Sequence, residues 1–219
     1  VEETKYKAIT GVARMTKDEQ DVSGDTFSMI NLQSGELLMA LSDGMGSGTS
    51  ALDESKNVIE LLEQMSEAGF SQTSAIRLIN SLYMSDQEFE SYATLDISLI
   101  NLYKGECSFL KNGAVGTYIL NQGKMYCIEG QSLPMGVIGE AEPYIGKMNI
   151  YSGDYIIMMT DGVADMFSDE KYNLEKYIGQ IDAVNPGDMA QAIVDEAVRR
   201  NSGYISDDMS VIVAGVWEN

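Results

Sequence analysis

Glu36-Leu37-Leu38-Met39-Ala40-Leu41-Ser42-Asp43-Gly44-Met45-Gly46-Ser47-Gly48 runs an apolar, strand-like segment into a turn with three glycines in five residues. Glycine takes backbone angles closed to residues with side chains. The turn therefore lets the Asp43 carboxylate and neighbouring carbonyls converge on one point, and a helical pattern leaves it. The arrangement recurs at Tyr155-Ile156-Ile157-Met158-Met159 followed by Thr160-Asp161-Gly162. Two apolar strands that each end in Asp-Gly point to a site at a sheet edge.

Outward from this stretch the chain alternates between two periodicities. Strand-like pieces at Tyr6–Arg14, Thr26–Leu32 and Glu36–Ser42 come first, with a hairpin signal at Gln33-Ser34-Gly35. Leu52, Val58, Ile59, Leu62 and Met65 then recur at helical spacing, and a second helix is expected from Thr73 to Tyr83 with Ile76, Ile79, Leu82 and Tyr83 on one face. After Ala93 the period is two: Leu95, Ile97 and Leu99 alternate with Asp96 and Ser98, and Lys104-Gly105 turns into Glu106–Lys111. Further hairpins are expected at Asn121-Gln122-Gly123 and Ser152-Gly153. A late helix, Gly187–Arg200, turns Met189, Ile193, Ala197 and Val198 inward, and the chain closes on a strand from Met209 to Val216. Nine or ten strands in hairpins, with helix pairs inserted, predict an α+β fold of two packed antiparallel sheets flanked by helices.

At 219 residues and 44% hydrophobic, the chain has enough apolar material for one domain with a substantial core. The start at Val1 suggests a processed chain or a domain cut from a longer protein. No apolar run approaches the roughly 20 residues of a membrane helix. Cys107 and Cys127 form no Cys-x-x-Cys motif and read as reduced core residues of a cytoplasmic protein. Lys and Arg total 14 against 34 Asp and Glu, a net charge of −20, which excludes the basic footprint of a nucleic-acid binder. Histidine is absent. Any metal must then be held by oxygen, which favours Mn²⁺, Mg²⁺ or Ca²⁺ over zinc.

Four aspartates stand beside strands or glycine turns: Asp25, Asp43, Asp161 and Asp207, the last next to Asp208. Like charges about 5 Å apart at an effective dielectric near 20 repel by about 3 kcal/mol per pair. Clustered carboxylates therefore titrate upward or bind cations. Each Asp-Gly alone also reads as an ordinary turn. The glycine turn lacks dinucleotide-loop spacing, and no Gly-Lys-Ser/Thr follows for a P-loop. In an EF-hand register from Asp43, Met45 takes a position that needs an oxygen ligand.

Taken in order, Ser23-Gly24-Asp25-Thr26-Phe27, Asp43-Gly44-Met45-Gly46-Ser47-Gly48, Gly153-Asp154 leading to Thr160-Asp161-Gly162, and Asp207-Asp208-Met209-Ser210 resemble the metal-dependent Ser/Thr phosphatases of the protein phosphatase 2C-like group. Lys111-Asn112-Gly113-Ala114 and Leu133-Pro134-Met135-Gly136-Val137 are similar to the group's bacterial sporulation and stress-response branch. The resemblance implies an αββα sandwich with two Mn²⁺ or Mg²⁺ ions between the sheets, the whole chain 1–219 forming one phosphatase domain, the C-terminal part of a longer protein. Asp43 would bridge both ions; Asp25 and the Gly44 carbonyl would serve one; Asp161 and Asp207 would serve the other, with Asp208 the alternative to Asp207. These aspartates would be the catalytic set, and a water shared by the ions would attack phosphorus in line.

The resemblance further implies a phosphorylated anti-anti-sigma factor as substrate, sigma-factor activation as outcome, and a position on the cytoplasmic side of the cell or septal membrane in the full-length protein. The helix pair between Ser50 and Met84 would carry a regulatory signal and a homodimer contact, although its apolar residues also read as ordinary packing. The chain departs from many relatives in having no histidine to protonate the leaving oxygen. Arg14 is the best candidate for a phosphate-holding arginine and stands outside the core set. Rival readings are a non-catalytic metal-binding scaffold of the same fold and a metallohydrolase acting on phosphodiesters or nucleotides.

Overall fold

Glu36–Asp43, Asp154–Met159 and Met209–Glu218 are buried nearly throughout, as strands covered on both faces are. The computed structural model describes residues 3–46, 48–85, 92–130, 132–137, 143–167, 173–182 and 184–219; Ser47 of the glycine turn and Val1 lie outside them. Ten strands are described: β1 (Tyr6–Met15), β2 (Asp25–Asn31), β3 (Glu36–Asp43), β4 (Leu95–Asn101), β5 (Glu106–Asn112), β6 (Thr117–Asn121), β7 (Lys124–Ile128), β8 (Tyr144–Asn149), β9 (Asp154–Met159) and β10 (Met209–Glu218). One sheet has the order β1-β10-β9-β6-β7 and the other β2-β3-β4-β5-β8. All paired neighbours are antiparallel.

Three apolar layers hold the sandwich together. Leu37, Met39, Leu41 and Phe109 of one sheet meet Ile156, Met158, Ile212 and Ala214 of the other between the sheets. Helices α1 (Gly48–Glu67) and α2 (Gln72–Ser85) cover the β2–β3–β4 side through Val58, Ile59, Leu62, Ile76 and Ile79. Helix α5 (Pro186–Arg200) covers the opposite side with Met189, Ile193, Val194 and Ala197. Short helices α3 (Asp161–Ala164) and α4 (Leu174–Ile178) pack beside it. The expected sandwich of two antiparallel sheets flanked by helices is the observed one.

Two local expectations are corrected. Ser152-Gly153 makes no hairpin: β8 pairs with β5 in one sheet, while β9 pairs with β10 and β6 in the other. Turn residues specify a reversal but not the next pairing partner. The Asp154 carboxylate instead anchors a crossing between sheets, accepting Tyr151 N at 2.7 Å, Gln122 N at 2.7 Å and Asn121 Nδ2 at 2.6 Å. On α2, Leu82 is 46% exposed and Ala75 is buried with Ile76 and Ile79, so the buried stripe is rotated from the expected one. Cys107 is buried and Cys127 half-buried, and both are free thiols. Among the described residues, no helix is long and apolar enough to cross a membrane.

Candidate metal centre

Both sheets end at one edge, and the expected site residues lie on it. Asp25 opens β2 and Asp43 closes β3, directly opposite each other in the antiparallel register. On the other sheet β9 ends at Met159, Asp161 begins α3, and Asp207-Asp208 precedes β10. Thr160 joins the two halves: its hydroxyl donates to Asp25 Oδ2 at 3.0 Å and accepts Ser210 N–H at 3.0 Å. No sequence feature singled out Thr160 for this role. Its position beside Asp161 was the one available signal.

The neighbouring aspartates at the last motif have different surroundings. Asp208 is buried, and its carboxylate accepts Lys17 N at 2.9 Å and Gly24 N at 2.7 Å, one oxygen each. It braces the loop leading into β2. Asp207 is exposed, with one oxygen accepting Asp208 N at 3.0 Å and lying 3.7 Å from Lys17 Nζ. Of the two, Asp207 has the freer carboxylate.

Glycine is required at Gly44 by contact rather than by backbone angle. A Cβ there would lie 1.9 Å from Ala51 O in the first turns of α1. The Asp43 N–H meanwhile donates to Thr94 Oγ1 at 3.0 Å, and Thr94 N–H returns a bond to Asp43 O at 2.9 Å. The peptide carrying Asp43 is therefore fixed between a helix and a neighbouring strand.

Burial pushes Asp43 up to about 8, and the charges of Asp25, Asp161, Asp207 and Asp208 add to the shift. Burial also pushes Asp25 up to about 7, while the Ser210 hydroxyl, near the carboxylate but outside hydrogen-bond geometry, and the bonded Thr160 hydroxyl pull back and Asp208 and Asp161 push further. Asp161 is raised by burial and then by Asp207. Among the described residues no three ligating side chains already stand around a single point, as mutual repulsion at about 3 kcal/mol per close pair favours. The donor set still suits hard divalent cations. Every side-chain candidate is a carboxylate, and Asp25 Oδ1 is buried without a hydrogen-bond partner. A buried carboxylate oxygen with no donor is costly unless a cation faces it.

The model of the family described as stage II sporulation protein E matches residues 33–217. The chain belongs to the stage II sporulation protein E family. It is 37% identical over 217 residues to stage II sporulation protein E of Priestia megaterium, and 33% identical over 217 residues to that of Bacillus subtilis (strain 168). Each match covers 98% of this chain but only 37% and 26% of those relatives. The solved PP2C phosphatase domain of SpoIIE from Bacillus subtilis, with a fragment of its regulatory domain, superposes with a TM-score of 0.91 at 34% identity, covering 99% of this chain and 65% of that one. The catalytic domain of the serine/threonine phosphatase PstP, solved with two manganese ions, shares the fold at TM-score 0.77 and 20% identity, covering 97% and 100%. This member of the stage II sporulation protein E family therefore spans the part that folds as a PP2C phosphatase domain in its Bacillus subtilis relative.

The raised carboxylates of this family member set a pH dependence with a definite sign. Asp25 and Asp43 sit at about 7 and about 8 in the folded protein, above the ordinary 3.8. Between those values the native state holds protons that the unfolded chain releases, so stability falls as pH rises. It is fully present below about 4 and lost through the native values. The urea midpoint in EDTA should drop from pH 5 to pH 9, and Asp25→Asn/Asp43→Asn should flatten the drop. An equally steep slope in that variant would assign the effect to other groups.

Proposed function

We propose that this domain is a divalent-metal-dependent phosphoserine/phosphothreonine protein phosphatase acting on a phosphorylated anti-anti-sigma factor, with sigma-factor activation during sporulation as the outcome. The observation that supports the reading is that Asp25 and Asp43 pair across β2 and β3 and that the charges of Asp25, Asp161 and Asp207 all act on Asp43, with Asp25 Oδ1 buried and unpartnered. Asp43 would be shared by two Mn²⁺ or Mg²⁺ ions, Asp25 and the Gly44 carbonyl would hold one, and Asp161 and Asp207 the other. When bound, two such ions supply Lewis-acid activation of a water and neutralise phosphoryl charge.

The chain's own residues orient this set. Thr160 holds the Asp25 carboxylate, Thr94 holds the Asp43 peptide, and Asp208 holds the Gly24 amide ahead of Asp25. Arg14 is exposed on β1 opposite Ser210, whose N–H bonds Thr160. That register puts a cation at the same edge, suited to a phosphate oxygen of the substrate.

The phosphatase domain would be one part of a longer protein acting on the cytoplasmic side of the cell or septal membrane. A homodimer would form through α1 and α2, where Leu78 is 48% and Met84 40% exposed. Leu78→Glu should shift the protein to monomer in sedimentation with its thermal midpoint within a few degrees of wild type. An unchanged oligomeric state would place the contact elsewhere.

The test of the activity is phosphate release from a phosphoserine-bearing anti-anti-sigma protein with Mn²⁺ and with EDTA. Metal-dependent release supports the phosphatase. Mn²⁺ binding without release from that substrate, or from phosphoserine peptides, would support the non-catalytic scaffold.

A further inference from the structure

A buried ion pair lies on the inner face of the sandwich beside the carboxylate edge. Asp96 on β4 is opposite Leu41 on β3 and opposite Lys111 on β5. Leu41 and Asp43 are two residues apart on a strand, so Asp96 shares the inner face with Asp43 and is its diagonal neighbour. Asp96 is 1% exposed and Lys111 0%. Lys111 Nζ donates to Asp96 Oδ2 at 2.6 Å and to Val115 O at 2.6 Å, and Thr117 Oγ1 donates to the same Asp96 Oδ2 at 2.7 Å.

The use of that carboxylate is lopsided. Both donors meet Oδ2, while Oδ1 is buried with no partner. A cavity of about 20 Å³ lies beside Asp96, lined by Asp43, Thr94, Asp96, Thr160 and Asp161 among others. That volume suits one water, which needs about 10–15 Å³ and two to four polar partners. Diagonal neighbours in a sheet are about 7–8 Å apart, a separation that one intervening water between the two carboxylates can span. A salt bridge serving packing alone gains little over apolar residues of equal volume.

We infer that Asp96 is a positioning residue of the candidate metal centre: anchored through Oδ2 by Lys111 and Thr117, it orients Asp43 through a water held in this cavity by Oδ1. The inference rests on the metal-centre reading above and extends it to residues that touch neither metal nor substrate. Lys111 gives the Asp96 carboxylate a short charged hydrogen bond, and Thr117, from the opposite sheet, fixes its rotamer. Groups of this kind, one step removed from a metal, typically change affinity about 10–100-fold when removed.

The test uses the shape-conserving variant Asp96→Leu/Lys111→Met, which removes both charges together and leaves neither buried alone. Mn²⁺ binding is read by electron paramagnetic resonance of the free ion, alongside circular dichroism and the thermal midpoint. The expected result is a folded protein whose Mn²⁺ affinity is about 10–100-fold weaker than wild type. Wild-type affinity in a folded variant would overturn the positioning role and leave the metal centre standing. A wild-type protein that binds no Mn²⁺ would overturn the metal-centre reading itself. Should the variant fail to fold, a high-resolution crystal structure of the wild-type protein with Mn²⁺ decides. A water bonded to both Asp96 Oδ1 and Asp43 supports the inference, and a dry cavity overturns it.

Discussion

Asp43→Asn should lower Mn²⁺-dependent kcat/KM for phosphoprotein by about three orders of magnitude, while making the metal-free protein more stable. The two effects have one cause. Asp43 is the carboxylate on which the charges of Asp25, Asp161, Asp207 and Asp208 all act, and it lies opposite Asp25 in the strand register. An amide of the same shape keeps the packing and the Asp43 N–H bond to Thr94 but removes the charge that two cations would share. Loss of one preorganised charge-stabilising group costs about 10²–10³ in rate, and a shared ligand belongs at the upper end. With no cation present and at a pH above about 8, where Asp43 is ionised, the same substitution relieves repulsion at about 3 kcal/mol per close pair, before solvent screening reduces it. Phosphate release with Mn²⁺ and thermal unfolding in EDTA read the two effects separately. Full activity in the variant would remove Asp43 from the mechanism. Falling activity together with falling metal-free stability would point to structural damage.

The sandwich was legible because its strands are short, alternating and punctuated by glycine turns, and its helices carry apolar residues at helical spacing. Connections were legible only where hairpin and pairing coincide. Ser152-Gly153 has turn chemistry, yet the chain changes sheets there, held by three bonds to Asp154 that no local pattern announces. At the candidate site, the aspartates were readable because acid-glycine turns after apolar strands are local signals. The groups that hold them were not. Thr160, Thr94 and Thr117 act across sheet partners or between sheets, where neighbours in space are far apart in sequence. Asp96 looked like the polar half of an alternating strand, but both faces of β4 are covered, and its polar face is the interior of the sandwich.

Gly44→Ala should couple the helical layer to the metal edge and show that the glycine turn is more than a flexible link. Its added Cβ would meet Ala51 O at 1.9 Å and Ala51 C at 2.7 Å, both backbone atoms of a helix and unable to swing aside. Helix α1 is held on the sheet by Val58, Ile59 and Leu62, all buried. Either its first turns lift or the Asp43-Gly44 peptide shifts. Overpacking of this kind costs about 1–3 kcal/mol, and a displacement of about 1 Å at a reacting centre costs about 10²-fold in rate. Gly46→Ala is the comparison, because a Cβ at Gly46 meets nothing within 4 Å and pays only for its positive φ of 109°. Both variants should lose stability in urea unfolding. Only Gly44→Ala should weaken Mn²⁺ binding by an order of magnitude or more, since only its clash acts on the peptide next to Asp43. Equal Mn²⁺ affinity in the two variants would mean that α1 yields without moving the turn, and that the helix seat and the carboxylate edge are mechanically independent.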